Sequence, residues 1–250
     1  MSEPLLSLQN IDVYYRNFHA VFDVSLNIEE GKITSLIGAN GAGKSTILKA
    51  ICGINKPTSG RIIFNGEDIT GLRTNEIAAK GIIMSPEGSE VFPAMSVKEN
   101  LLMGAYLPKA YRKRNELLEK VYALFPILNE KEKQLATFLS GGQRQMLAIG
   151  RAIMADPKLI ICDEISLGLS PVIIKDIYSK VHEINDEGKT IILVEQEVKR
   201  SLKHSDYAYI LVKGRIVIKG HCDELSEKEV SDAYFGIEKY ANGGGDSTCS

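Results

Sequence analysis

The chain of 250 residues has no apolar run near the ~18 residues that a membrane-spanning helix needs. Its start, Met1-Ser2-Glu3-Pro4, lacks the basic and long apolar regions of a signal peptide, which predicts a protein kept in the cytoplasm. It has no surplus of positive charge. Lys and Arg number 30 against 32 Asp and Glu, for a formal net charge of -2, so the electrostatic footprint of a nucleic-acid binder is missing and no nucleic-acid partner is expected. The four cysteines, Cys52, Cys162, Cys222 and Cys249, are scattered with no C-x-x-C, which argues against a disulfide framework, a zinc site or an iron–sulfur site. His19, His182, His204 and His221 form no ligand-spaced cluster, and packing or surface roles are expected for each. No Asn-Lys-x-Asp guanine-reading motif, no long heptad insertion and no internal repeat is present.

What is present is the composition of a globular protein able to bury a full core, with 44% hydrophobic and 25% charged residues. Short apolar runs at 5–15, 33–37, 61–64, 82–85, 159–162, 190–194 and 207–219 read as strands, several with the continuous apolar pattern of strands covered on both faces. Helices read at 44–52, 141–155 and 171–187. This alternation predicts an α/β core around a mostly parallel sheet. Between Glu87 and Pro157 the strand signal stops. Leu117, Leu118, Val121, Tyr122, Leu124 and Phe125 recur there at helical spacing, which suggests an inserted helical lobe. Arg112-Lys113-Arg114 opens that helix and reads as a solvated basic face.

Two anion-binding signatures stand in the chain. Gly38-Ala39-Asn40-Gly41-Ala42-Gly43-Lys44-Ser45-Thr46 follows a strand and opens a helix, the context that the P-loop pattern G-x-x-x-x-G-K-[ST] requires. Its glycines let backbone N–H groups curl around phosphates, and the helix N-terminus adds a positive field. Lys44 would reach the β- and γ-phosphates, Ser45 would hold Mg²⁺, and Thr46 would support the α-phosphate end. The second is Leu139-Ser140-Gly141-Gly142-Gln143, where a hydroxyl and backbone donors open a helix. It reads equally as a Ser N-cap with a Gly-rich turn. The P-loop already holds the phosphates from one side, so a second donor set is useful only if another subunit presents it.

Leu159-Ile160-Ile161-Cys162-Asp163-Glu164 is an apolar run ending in two acids. Placed at a strand's C-terminal edge beside the P-loop, Asp163 would hold Mg²⁺ and Glu164 would polarise the attacking water as general base. A strand ending in Asp-Glu is by itself more often a surface turn.

These motifs resemble the ATP-binding subunits of ATP-binding-cassette (ABC) transporters. Within that family the chain is most similar to the ATPase subunits of bacterial branched-chain amino-acid importers. The closer match rests on Val13-Tyr14-Tyr15, the P-loop, Pro86-Glu87-Gly88, Val91-Phe92-Pro93, residues 146–152, Ser166-Leu167-Gly168-Leu169-Ser170-Pro171 and Val194-Glu195-Gln196. It spans residues 5–236. The resemblance implies a P-loop NTPase fold of ABC type, with an N-terminal antiparallel β part and an inserted helical subdomain. It divides one domain, 4–238, into a core (4–86 and 157–238) and a helical subdomain (87–156), with a flexible tail at 239–250. ATP and Mg²⁺ are the implied ligands. Tyr15 matches the adenine-stacking aromatic, with Tyr14 as the alternative. Glu87 occupies the place of the family's Q-loop Gln and would sense Mg²⁺, and Gln196 that of its switch His.

Gln cannot take a proton near neutral pH, so more of the base role falls to Glu164. Ser170 stands where many relatives have an Asp, Ile165 where a Pro usually follows Asp-Glu, and Ser89-Glu90 where a basic pair is common in the subfamily. Implied partners are a second copy or a paralogous ABC ATPase in a head-to-tail dimer, integral membrane permease subunits docked near Phe92, and, indirectly, an extracytoplasmic substrate-binding protein. The implied location is the cytoplasmic face of the cell membrane. A soluble ABC ATPase without a transport role, or an importer of another small solute such as urea or amides, stays open as an alternative.

Overall fold

The computed structural model describes residues 3–235. The expected tail, 239–250, and the end of the expected domain at 238 lie outside the described residues. The order is β1 (Leu6–Tyr15), β2 (Phe18–Ile28), β3 (Ile33–Gly38), α1 (Lys44–Ile51), β4 (Ser59–Phe64), β5 (Glu67–Asp68), α2 (Thr74–Lys80) and β6 (Ile82–Ser85). Next come α3 (Val97–Gly104), α4 (Pro108–Arg112), α5 (Arg114–Leu124), α6 (Pro126–Glu130), a short 3₁₀ turn at Ala136–Phe138 and α7 (Gly141–Ile153). The chain then forms β7 (Leu159–Asp163), α8 (Pro171–Asp186), β8 (Thr190–Glu195), α9 (Val198–Lys203), β9 (Tyr207–Val212), β10 (Arg215–His221) and α10 (Glu227–Phe235).

The central sheet runs β10-β9-β3-β8-β7-β6, parallel except for β10 at one edge. Strands β3, β7 and β8 are buried at every residue. Their sequences are mostly apolar, with Thr34, Ser35, Asp163, Thr190 and Glu195 as buried polar exceptions, because helices or a second sheet cover both faces. Alternate residues point to opposite cores. Ile161, Ile192 and Val194 join α1 and the β1-β2-β4 face. Ile160, Cys162, Ile191 and Leu193 join Val97, Leu101, Leu147 and Tyr178 on the other side. Each fully buried aliphatic side chain there contributes about 1.5–3 kcal/mol relative to exposure. The segment between β6 and β7 is helical throughout its regular structure. Ser96 and Ser140 each close a capping box, and Pro108, Pro126 and Pro171 start helices where a missing N–H costs nothing.

The antiparallel sheet, β2-β1-β4-β5, contains a strand that the sequence reading missed. In β2 the buried residues are Val21, then Val24, Leu26 and Ile28, so the period-2 pattern slips by one. β1 slips likewise between Leu8 and Ile11. The slips are bulges at Asp23 (φ 48) and Asn10 (φ 49), whose side chains meet across the pair, Asn10 Nδ2 donating to Asp23 Oδ1 at 2.8 Å. The apolar run 207–219 corrects to two strands, because Lys213 (φ 46) and Gly214 (φ 78) fold it into a hairpin.

Candidate functional site

Parallel strands place their C-terminal ends on one edge, and here that edge gathers the acids and the phosphate loop. Ile37 pairs with Glu195, Asp163 with Val194, and Ser85 with Cys162. Gly38, Asp163, Glu195 and Gln196 therefore share one rim, the place where ligands bind in open α/β sheets.

The P-loop is shaped by its glycines and braced by the β9–β10 hairpin. Gly41 (φ 80) and Gly43 (φ 109) adopt backbone conformations that L side chains rarely take. A Cβ on Gly38 would lie 2.7 Å from the Leu211 carbonyl oxygen. Ala42 N–H donates to Ala39 O at 3.1 Å, and Gly214 N–H donates to Ala42 O at 2.8 Å. Asn40 and Ser45 are exposed, and Thr46 is buried. Lys44 is only 4% exposed. Its Nζ donates to Gly38 O at 2.8 Å and Ala39 O at 3.2 Å, and it lies 3.2 Å from Glu164 Oε1.

Glu164 is buried and held from its other side by Gln196, whose Nε2 donates to Oε2 at 2.6 Å. Its φ of 47 is unusual for a residue with a side chain, and such strain costs on the order of 1–3 kcal/mol. Glu164 N–H donates to Val194 O at 2.9 Å, which ties the turn to β8. Burial raises the Asp163 carboxyl to about 6, with the negative charges of Glu164 and Glu87 adding to the effect and Lys44 opposing it. Glu87 itself is exposed. Burial also pushes the Cys52 and Cys162 thiols up to about 12, so neither is a nucleophile.

Tyr15 hangs over the helix that follows the P-loop. Its hydroxyl accepts from Asn55 Nδ2 at 2.5 Å and from Thr46 Oγ1 at 3.5 Å. Tyr14 instead stacks on His19, with ring centroids 4.0 Å apart and an interplanar angle of 12°. The Ser140–Gln143 segment closes on itself. Gln143 N–H donates to Ser140 Oγ at 3.3 Å, and Ser140 N–H donates to Gln143 Oε1 at 3.1 Å. Gly142 packs tightly, since a Cβ there would lie 2.6 Å from Ile173 Cγ2 and would force that side chain to shift. Ser140 is exposed, and among the described residues no hydrogen bond joins this segment to the P-loop.

One chain thus brings together Lys44, Glu164 and Gln196 by direct contact, and Asp163 and Glu87 by their field, but not Ser140 to Gln143. Sequence reasoning missed Asn55 as the tether of Tyr15. It also missed the acid Glu195, whose signal was its place beside Gln196 at the strand end.

The profile of the family described as ABC transporter matches residues 21–166. The chain is 44% identical over 233 residues to the high-affinity branched-chain amino acid transport ATP-binding protein BraG of Pseudomonas aeruginosa, covering 93% of this chain and 100% of that protein. It is 37% identical over 229 residues to the probable branched-chain amino acid transport ATP-binding protein LivF of Archaeoglobus fulgidus, covering 90% and 95%. The ADP conformation of an ATP-binding cassette of an ABC transporter superposes with a TM-score of 0.80 at 30% identity, covering 96% of this chain and 98% of that one. No helix among the described residues is long and apolar enough to cross a membrane. With a P-loop, a buried acid pair at the same rim and these likenesses, the chain belongs to the ABC transporter family as an ATP-hydrolysing, ATP-binding subunit.

Proposed function

We propose that the chain drives a membrane importer of branched-chain or similar hydrophobic amino acids by hydrolysing ATP in a head-to-tail dimer. The likeness to BraG and LivF supports the substrate class. The observation that carries the chemistry is Glu164 clasped between Lys44 and Gln196. On nucleotide binding, Lys44 would exchange the Glu164 carboxylate and its two loop carbonyls for β- and γ-phosphate oxygens. That frees Glu164 Oε1 to accept a proton from the water that attacks the γ-phosphorus. The bond from the γ-phosphorus to the bridging oxygen breaks, and the products are ADP and phosphate.

The acid-rich rim fits a divalent cation. Asp163, whose carboxyl burial and like charge push up to about 6, would gain an opposite charge that favours its ionised form, and Ser45 offers an exposed hydroxyl. Among the described residues no three His, Cys, Asp or Glu side chains group as a metal cage. A Mg²⁺ carried in by the phosphates, held by Ser45 and Asp163 with Glu87 nearby, suits that donor set. It would neutralise charge on the phosphates. Ser140 to Gln143, unengaged with their own P-loop, would complete the site of the partner subunit, whether identical or paralogous.

An apolar groove of about 320 Å³ lies between the core and the helical segment. Ile54, Ile77, Met84, Phe92, Met103 and Tyr106 are among its lining residues. The Phe92 ring packs under the Arg151 guanidinium, 5.0 Å from its centroid, and stays exposed. Exposed apolar surface of this kind marks a partner site, and we assign it to the permease. Affinity capture from detergent-solubilised membranes tests the reading. Recovery of polytopic permease subunits, with a companion binding protein that takes up leucine, isoleucine or valine, is expected. Recovery of soluble partners alone overturns it.

A further inference from the structure

Behind the rim sits a buried polar cluster that the hydrolytic residues do not include. Glu195, the last residue of β8, is 3% exposed. Its Oε2 accepts from Ser166 Oγ at 2.9 Å and its Oε1 accepts from Tyr178 OH at 2.6 Å. Ser166 Oγ in turn accepts from Arg200 Nη1 at 2.7 Å. His204 stacks on the Tyr178 ring with centroids 4.4 Å apart, and His182 Nε2 lies 3.0 Å from His204 Nδ1. The cluster therefore pins α8 and α9 and the loop after β7 to the end of β8. Both carboxylate oxygens of Glu195 are satisfied by neutral donors, so the cluster holds these elements in one arrangement.

That geometry bears on Glu164. Ser166 is two residues beyond it, in the turn that holds Glu164 at φ 47. Gln196, the residue after Glu195, grips the Glu164 carboxylate directly. We infer that Glu195 is a positioning residue for ATP hydrolysis: through Ser166 it locks the strained 164–167 turn, so that one strand end sets both the backbone and the carboxylate of Glu164. The inference rests on the reading of Glu164 as general base.

Steady-state phosphate release, equilibrium binding of a fluorescent ATP analogue and thermal unfolding of the full-length chain test it. Ser166→Ala should lower kcat about 10- to 100-fold, the range a small misplacement of a reacting group produces. KM for ATP should stay within about twofold. Ser166→Thr, which keeps the hydroxyl, should restore most of the rate. Glu195→Gln should also lower kcat. Combined with Ser166→Ala it should add little, because both cut one link. Wild-type kcat in Ser166→Ala and Glu195→Gln overturns the inference. So does a loss of kcat together with nucleotide binding and unfolding temperature that Ser166→Thr fails to restore. Glu164→Gln, measured alone, tests the base reading separately, because the Ser166 and Glu195 effects are read against a wild-type Glu164.

Discussion

Gln196 Nε2 donates to Glu164 Oε2 at 2.6 Å, so Gln196 grips the general-base candidate. Lys44 Nζ stands 3.2 Å from the other carboxylate oxygen. Both carboxylate oxygens are therefore engaged, which fixes the orientation of the group. Glu164→Gln should cut phosphate release about 10²- to 10⁴-fold with ATP binding retained. Hydrolysis near the wild-type rate would remove Glu164 from the role.

The same contact separates positioning from proton transfer at residue 196. Gln196→Ala should slow kcat about tenfold or more by freeing the carboxylate. Gln196→His keeps a donor but adds a group that titrates at or above about 6.5, because the adjacent carboxylate favours imidazolium. Its kcat profile should gain an inflection that the wild-type profile lacks. Superimposable profiles would show that the side chain at this position does not govern the step.

The site could be read from sequence where one residue type answers one physical demand. Gly41 and Gly43 need positive φ, Lys44 follows them, and β7 is an apolar run that ends in Asp163. Where two effects overlapped, the reading failed. The bulges at Asn10 and Asp23 broke the alternation that would have marked β2, and the turn at Lys213-Gly214 was hidden in an apolar run. Glu195 lies one residue past the apolar run 190–194 that marked the strand. Its hydrogen-bond partners, Ser166 and Tyr178, are remote from it in sequence and meet it only in the fold.

Asp163 gives a pH prediction for the nucleotide-free protein. Its folded carboxyl is raised from 3.8 to about 6. In that window the folded state binds more protons than the unfolded state, so stability falls as pH rises through it and stays lower above it. Asp163→Asn removes that penalty. Thermal unfolding in EDTA at about pH 8 should show the variant more stable, by on the order of 1 kcal/mol after solvent screening, with the gain vanishing near pH 4. A variant no more stable at pH 8 would contradict the raised carboxyl.

Tyr15 and Tyr14 separate cleanly. Tyr14 is already stacked on His19, whereas Tyr15, 41% exposed, is in no aromatic stack among the described residues and is tethered through its hydroxyl. Tyr15→Ala should weaken ATP binding by about 1–3 kcal/mol, the range for one base–aromatic stack. Tyr15→Phe, which keeps the ring and loses only the hydroxyl contacts with Asn55 and Thr46, should weaken it less. A larger loss from Tyr14→Ala than from Tyr15→Ala would move the adenine to the other ring.

In the proposed head-to-tail dimer Ser140 would do two jobs that substitution can pull apart. As N-cap of α7 it accepts from Gln143 N–H. Losing that cap costs about 1 kcal/mol of helix stability. As a donor offered to the partner's ATP it must also leave room for phosphate. Ser140→Ala removes the cap and should lower the unfolding temperature modestly. Ser140→Arg adds bulk and charge at an exposed helix start. In the hydrolysis-blocked Glu164→Gln background it should abolish the ATP-dependent dimer seen by size-exclusion chromatography with light scattering, while monomeric ATP binding persists. Persistence of that dimer in Ser140→Arg would place the partner's contact elsewhere and reduce Ser140 to its capping role.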